Sequence, residues 1–268
     1  MQASSADALG HVKALVFDVF GTVVDWRTSV TDELILRAHR KLSSHLAPPL
    51  QSRLASRTAD DWARFAQAWR DSYRAFTLAY NPHADAWKTV DAHHLDSLVA
   101  LLRSEGLDGI YTDAEVESLS LVWHRLAPWP DAADGLAKLG ARYTTSTLSN
   151  GNLALLRDLD DYGLLAFHKL LSAETFRAYK PDPATYLGAA RELGVEPAEV
   201  AMVAAHLGDL EAARACGLRT IYVERPREES WGENEQRHRR AGDFVDLWIT
   251  EEQDGLLAVN EQLLSRHP

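Results

Sequence analysis

Four short polar motifs in this sequence carry side chains that are able to do chemistry on a small molecule. Asp18 opens the motif DVFGT, Ser149 opens SNG, and Lys180 opens KPDPATY. His206 and Asp209 follow an apolar run further along the chain. Carboxylates, an ammonium, a hydroxyl and an imidazole are the groups that nucleophilic and acid–base catalysis use. These motifs therefore predict a catalytic or binding crevice, provided that the fold brings them together.

The elements that precede the motifs predict how they are positioned. Short apolar runs at 12–17, 143–148 and 200–205 have the pattern of strands that are buried on both faces of a parallel sheet. Further strands are expected at 220–223 and 244–249, and helices near 153–159, 183–193 and 209–216. Alternating strands and helices predict an α/β fold, a doubly wound Rossmann-like parallel sheet core. In such sheets ligands bind outside the carboxyl ends of the strands, where these motifs lie.

A helical block interrupts the α/β pattern after the first strand. Helices are predicted from about 29, across an aromatic stripe between 62 and 76, at 87–102 and at 113–126, with a turn at 44–49. The expected organisation is an α/β core domain at 11–24 and 129–268, with a helical domain at 25–128.

Composition narrows the class of protein. The chain has 268 residues, 28 Lys+Arg and 39 Asp+Glu, which gives a net charge of −11 and argues against nucleic acid as a partner. A single cysteine fits a reducing cytoplasm, and no apolar run is long enough to span a membrane. The charged stretch 227–240 is expected to be a solvated face. A homodimer would suit the Trp-rich helical segment, but the oligomeric state stays open.

Together the motifs resemble the haloacid dehalogenase superfamily, in which a cap domain follows the first strand. Phosphatases of that superfamily have a second Asp two residues after the first, as a proton donor, where this chain has Phe20. They also have an acidic metal ligand where this chain has Ala205, with Ala204 beside it. A halide leaving group needs neither a proton nor a metal. The chain is thus most similar to the type II, L-2-haloacid dehalogenases, which carry D-x-[YF]-G-T, and no metal or cofactor is expected.

The resemblance implies a two-step reaction on a short 2-haloalkanoic acid. Asp18 would attack C2 opposite the halogen, invert its configuration and form an ester. Water would then hydrolyse the ester and release the 2-hydroxy acid. Lys180 would keep Asp18 ionised, and Asp209 would orient Lys180 or activate the water.

The resemblance also assigns binding roles. The substrate carboxylate is expected at Ser149 and at the backbone N–H groups of Val19 and Phe20. The departing halide is expected at Arg70, in the family-like segment 68–73, and at Asn150. Three further residues complete the predicted site: Thr22 near Asp18, Tyr186 six residues after Lys180, and Trp69 as a pocket wall.

His206 departs from the family, since many relatives have Asn there. Its imidazole could orient water, act as a base, or narrow the pocket towards chloroacetate or fluoroacetate. Three other functions stay open: a phosphatase or phosphonate hydrolase that acts on a small substrate, an enzyme that opens a strained C–N ring, and a catalytically silent binding protein.

Overall fold

The computed structural model describes residues 8–229 and 240–266 of the chain. Most of the charged stretch 227–240 therefore lies outside the described residues. The chain divides into two compact units, one formed by Trp26–Ala127 and the other by the residues up to Asp25 and from Pro128 onward. Within the described ranges, every helix is too short or too polar to cross a lipid bilayer.

The α/β unit is built on one six-stranded parallel sheet, which confirms the predicted fold class. The strand order is β5-β4-β1-β6-β7-β8. The strands are β1 (Ala14–Phe17), β4 (Thr144–Ser149), β5 (Lys169–Ser172), β6 (Val200–Ala204), β7 (Arg219–Val223) and β8 (Leu247–Ile249). Two further strands, β2 (Val24–Asp25) and β3 (Ala127–Pro128), form a separate two-stranded sheet.

The register of the central strands explains why the motifs meet. Phe17, the last residue of β1, pairs with Thr147 on one side and with Val203 on the other. The three central strands therefore end almost level with one another. The residues that follow them must emerge at the same edge of the sheet.

Helices flank this sheet and enclose its apolar core. They are α6 (Ala132–Gly140), α7 (Leu153–Gly163), α8 (Ala173–Phe176), α9 (Pro183–Leu193), α10 (Leu207–Ala215) and α11 (Gly255–Arg266). One side of the core packs Val16 of β1 with Met202 of β6, Tyr222 of β7 and Tyr186 of α9. Apolar burial of this kind stabilises the fold by about 25 cal/mol for each Å² removed from water.

Helix α6 and strand β5 are among the elements of this unit that were not predicted from the sequence. Helix α6 contains Gly135 and Gly140, which weaken its helical signal. A Cβ atom at Gly135 would lie only 2.5 Å from Cβ of Leu256, so close packing against α11 requires glycine there. Strand β5 lies at the sheet edge, and its first two residues are only half-buried. Edge strands have weak apolar patterns because one side of them faces no neighbouring strand.

The helical unit contains α1 (Trp26–Leu42), α2 (Pro48–Ala55), α3 (Ala59–Ala79), α4 (Val90–Ser104), α5 (Asp113–Ser120) and a 3-10 helix at Leu121–His124. The predicted stripe is correct, because α3 buries Trp62, Phe65, Trp69 and Tyr73. Helix α4 starts later than predicted, since Thr89 caps it by accepting a hydrogen bond from the Ala92 amide. The region predicted as a turn at 44–49 runs into α2, which begins at a proline, as helices often do.

A buried ion pair ties the start of α6 to the segment after β7. Arg225 donates two hydrogen bonds to Asp131, at 2.6 and 2.7 Å, and each side chain is only 7% exposed. Asp131 also accepts a hydrogen bond from the Leu256 amide at the start of α11. Arg225 further donates to the Thr22 carbonyl at 3.0 Å, which links this pair to the loop after β1.

Replacing Asp131 with alanine leaves the buried Arg225 guanidinium without its carboxylate. We expect Asp131→Ala to lower the free energy of unfolding by about 3–5 kcal/mol, as measured by urea denaturation. The control is Arg240→Ala, which removes an exposed ion pair with Glu211 and should cost less than about 1 kcal/mol. Equal losses in the two variants would show that the Arg225–Asp131 pair does not stabilise the unit as described.

Candidate active site

Asp18 is the first residue after β1, and the backbone around it is closely constrained. Its amide donates to the Val203 carbonyl at 3.0 Å, so the pairing of β1 with β6 continues up to Asp18 itself. The chain then turns sharply at Gly21, whose φ of +85° favours glycine. The Gly21 amide closes the turn by donating to the Val24 carbonyl at 2.9 Å.

The two carboxylate oxygens of Asp18 have different partners. Oδ1 accepts a hydrogen bond from Nζ of Lys180 at 2.9 Å. Oδ2 accepts from the Thr22 hydroxyl at 2.9 Å and lies 2.9 Å from Nδ1 of His206. Thr22 is oriented in turn by the Ala205 amide, which donates to its Oγ1. Three predicted site residues thus contact the carboxylate of a fourth.

Lys180 lies between two carboxylates. Its ammonium donates to Asp18 and also to Oδ2 of Asp209, and the three side chains are each at most 10% exposed. The other oxygen of Asp209 accepts a 2.6 Å hydrogen bond from the Tyr186 hydroxyl. Asn150 fixes the backbone of Lys180, because its Oδ1 accepts from the Lys180 amide at 2.8 Å.

These contacts decide the charges at the site. Burial raises the pKa of Asp18, but Lys180 and His206 outweigh it and hold that pKa far below its usual value. The two carboxylates raise the pKa of Lys180 although burial opposes them. Burial, together with the nearby Asp18 charge, raises the pKa of Asp209. Asp18 is therefore ionised at neutral pH, as a nucleophile must be.

His206 lies between Asp18 and a second carboxylate, that of Glu228. Its Nε2 atom is 3.1 Å from Oε2 of Glu228, on the side of the ring away from Asp18. Burial lowers the pKa of His206, but the two carboxylates more than compensate and raise it to about 10. The imidazole is thus protonated at neutral pH. A protonated ring has no lone pair to accept a proton. The raised pKa therefore argues against a role of His206 as a base in the free protein, and that role stays a prediction.

Glu228 is the residue that the sequence analysis missed. It falls in the stretch 227–240, which its charge density marked as a solvated face, yet its side chain is only 5% exposed. That expectation is wrong for Glu228, since the carboxylate bonds to His206. No local signal marks the contact, because the two residues are 22 positions apart and belong to no shared motif.

The predicted carboxylate-binding groups lie next to these residues. Ser149 ends β4, and its Oγ accepts a hydrogen bond from the Gly151 amide at 3.1 Å. That bond uses an oxygen lone pair and does not consume the hydroxyl hydrogen. Val19 and Phe20 are almost fully buried, and the Val19 carbonyl accepts from the Val23 and Val24 amides within the turn.

Arg70 and Trp69 both lie on α3 of the helical unit. The Arg70 guanidinium lies over the Tyr73 ring, 4.6 Å from its centroid, and 5.6 Å from the centroid of Trp26. Trp69 is fully buried, and its Nε1 donates to the His94 carbonyl and to the Ser97 hydroxyl. Trp69 is thus part of the core of this unit, and the predicted roles of both residues in binding stay predictions.

Comparison with known proteins identifies the family. The model of the haloacid dehalogenase-like hydrolases matches residues 12–217. The chain belongs to the haloacid dehalogenase-like hydrolases. It is 32% identical over 235 residues to an (S)-2-haloacid dehalogenase of Pseudomonas sp. strain CBS-3, covering 85% of this chain and 92% of that protein.

Two further relatives show how far the likeness extends. A phosphoglycolate phosphatase of Chromobacterium violaceum is 29% identical over 231 residues, with 80% of this chain and 86% of that protein covered. The crystal structure of a defluorinating L-2-haloacid dehalogenase is 33% identical, with a TM-score of 0.77 over 96% of this chain and 97% of that one. Overall identity therefore shows the family, but it does not distinguish a dehalogenase from a phosphatase.

The site of this haloacid dehalogenase-like hydrolase does not fit Mg²⁺. Among the described residues, no group of three or more His, Cys, Asp or Glu side chains could hold a metal ion. Mg²⁺ requires oxygen ligands, but the Lys180 ammonium lies between Asp18 and Asp209, and Ala205 has no ligand atom. No step that follows uses a metal.

The raised pKa of His206 predicts a pH-dependent stability. Because the pKa is about 10 in the folded protein and 6.5 ordinarily, the stabilisation is complete below pH 6.5 and is lost as the pH rises towards 10. Asp18, whose pKa is lowered, stays ionised throughout this range. The free energy of unfolding of the wild type should fall relative to that of His206→Asn, by roughly 4 kcal/mol across the range.

Urea denaturation of both proteins at about pH 6 and about pH 9.5 tests this expectation. An unfolding free energy difference that is the same at both pH values would show that His206 is not held protonated by its carboxylate neighbours.

Proposed function

We propose that this protein hydrolyses short 2-haloalkanoic acids to 2-hydroxy acids without a metal, through an ester at Asp18. The observation that carries the proposal is the buried Asp18 carboxylate, compensated by the ammonium of Lys180 and the imidazolium of His206. Such a carboxylate is ionised and oriented, and it can attack a carbon atom that bears a good leaving group.

The residue two positions after the nucleophile favours a halide as that leaving group. Phe20 is 1% exposed and has no proton to give to a departing alcohol. A halide leaves as an anion and needs no proton donor. The names of two relatives, an (S)-2-haloacid dehalogenase and an L-2-haloacid dehalogenase, agree with this choice.

The geometry of Asp18 supports a division of the reaction between its two oxygens. Oδ2 is held by Thr22 and His206, whereas Oδ1 accepts from Lys180. We assign Oδ1 as the atom that attacks C2 from the face opposite the halogen, with inversion of configuration. Oδ2 then becomes the carbonyl oxygen of the ester.

The remaining site residues have supporting roles in the proposed reaction. Ser149 can donate a hydrogen bond from its hydroxyl group to the substrate carboxylate. The backbone N–H groups of Val19 and Phe20 can donate to the same carboxylate. Asp209 and Tyr186 hold Lys180 in place, and Asn150 fixes its backbone.

The location of the protein in the cytoplasm and its assembly as a homodimer stay predictions.

Halide release in the presence of EDTA tests the proposed function. We expect wild-type protein to release halide from chloroacetate and from only one enantiomer of 2-chloropropionate, giving the hydroxy acid of opposite configuration. Fluoroacetate belongs in the same assay, since one structural neighbour is a defluorinating enzyme. Asp18→Asn should lower the rate by at least about 10³-fold, because an amide is a very poor nucleophile in comparison with a carboxylate.

A phosphatase is the alternative, favoured by the likeness to a phosphoglycolate phosphatase. It predicts Mg²⁺-dependent cleavage of phosphoglycolate and no halide release. That pair of results would overturn the proposal, and inactivity towards both substrate classes would favour a binding role.

A further inference from the structure

His206 is held from both sides by carboxylates that come from distant parts of the chain. Nδ1 lies 2.9 Å from Oδ2 of Asp18, and Nε2 lies 3.1 Å from Oε2 of Glu228. The side chains of His206, Asp18 and Glu228 are 27%, 10% and 5% exposed. An imidazole that hydrogen-bonds through both nitrogens cannot rotate without breaking at least one bond, so its orientation is fixed.

Glu228 is itself fixed by contacts on both sides in the sequence. Three residues earlier, Arg225 bonds to Asp131 and to the Thr22 carbonyl. One residue later, Glu229 accepts a 2.6 Å hydrogen bond from the Leu207 amide, the first amide of α10. The segment 225–229 is therefore attached to the loop after β1 and to the start of α10, with Glu228 between the two attachments.

Packing at Gly21 shows how closely Glu228 approaches the loop after β1, which contains Asp18. A Cβ atom at Gly21 would lie 2.3 Å from Oε2 of Glu228, far inside van der Waals contact. Glycine at this position therefore serves the turn and also admits the Glu228 carboxylate beside His206.

Hydrolysis of the ester at Asp18 is the step in which this arrangement can act, and this inference therefore rests on the proposed function. When water attacks Cγ of the Asp18 ester, negative charge develops on Oδ2. Thr22 and His206 are hydrogen-bonded to that oxygen in the free protein. Donors that are already aimed at the atom where charge develops accelerate such a step.

We propose that Glu228 is a positioning residue, which holds His206 so that its Nδ1–H group stabilises Oδ2 of Asp18 while the ester is hydrolysed. In that step the water oxygen bonds to Cγ and the Cγ–Oδ1 bond breaks. Oδ1 leaves with the product as its hydroxyl oxygen and takes up one proton. A second proton is released to solvent, and Asp18 becomes a carboxylate again.

The role of Glu228 becomes larger once the ester has formed. Among the described residues of the free protein, the charged groups at the ring are Asp18 and Glu228. Lys180 lies on the other oxygen of Asp18, Asp209 lies beyond Lys180, and Glu229 lies at the Leu207 amide. Ester formation removes the charge of Asp18. Glu228 is then the carboxylate that remains in contact with His206 and keeps it protonated.

Glu228→Gln tests the proposal, because glutamine keeps the shape and one acceptor oxygen but removes the charge. Rapid mixing with chloroacetate should show a halide burst at the wild-type rate. The decay of the ester, measured by intact-protein mass spectrometry, should be about tenfold slower than in the wild type. This decrease is smaller than the one that follows the loss of a whole oxyanion donor. The matched control is Glu229→Gln, in which the amide oxygen can still accept from Leu207 and the ester should decay at the wild-type rate.

Two readouts separate this role from a merely structural one. The alkaline limb of the ester decay rate should move to lower pH in Glu228→Gln, since His206 loses its proton more easily there. In a His206→Asn background, Glu228→Gln should have no further effect. Glu228→Asp keeps the charge, and its ester should decay faster than the ester of Glu228→Gln. This variant keeps the proposal testable if the glutamine variant folds poorly.

The results distinguish the two proposals. Wild-type ester decay in Glu228→Gln, or a full additional loss in the His206→Asn background, would overturn the role of Glu228 while halide release by the wild type still stands. Absence of halide release by the wild type from every haloacid would overturn the proposed function itself.

Discussion

The site depends on one buried cation that lies between two carboxylates. Lys180 donates to Asp18 and to Asp209, and the three side chains are nearly excluded from water. Two carboxylates this close would repel each other strongly without the ammonium, and burial of an unpaired charge is costly. Much of the local structure serves this group, from the Asn150 bond to the Lys180 backbone to the Tyr186 bond to Asp209.

A second cationic group, the imidazolium of His206, gives the two carboxylate oxygens of Asp18 different surroundings. His206 and Thr22 bond to Oδ2 of Asp18, whereas Lys180 bonds to Oδ1. A lysine alone would hold the carboxylate ionised without distinguishing its two oxygens. The protonated imidazole makes that distinction, because it bonds to Oδ2, the oxygen on which the proposed ester hydrolysis develops negative charge. The same cation lowers the cost of burying the ionised Asp18 carboxylate.

Much of this arrangement could be predicted from the sequence, and the limits have physical reasons. Strand ends are visible as apolar runs followed by polar residues, and parallel strands must present their carboxyl ends at one edge, so Asp18 and Ser149 could be found in this way. Lys180 follows no predicted strand and was found through its motif, KPDPATY. Strand β5 and helix α6 were missed because edge exposure and two glycines weaken their patterns. Glu228 could not be found at all, since nothing in the local sequence distinguishes it from the other charged residues of the stretch 227–240. Without Glu228, the contact that favours a protonated His206 could not be predicted either.

The central claim is that the Asp18 carboxylate, and not water, attacks carbon. A single turnover of chloroacetate in H₂¹⁸O, with protein in excess, tests it directly. The account predicts that ¹⁸O enters the tryptic peptide 14–27, at Asp18, and that the first glycolate formed contains only ¹⁶O in its hydroxyl group. The label in the hydroxyl group of that first glycolate, with none in the peptide, would show that water displaces the halide directly and would contradict the account.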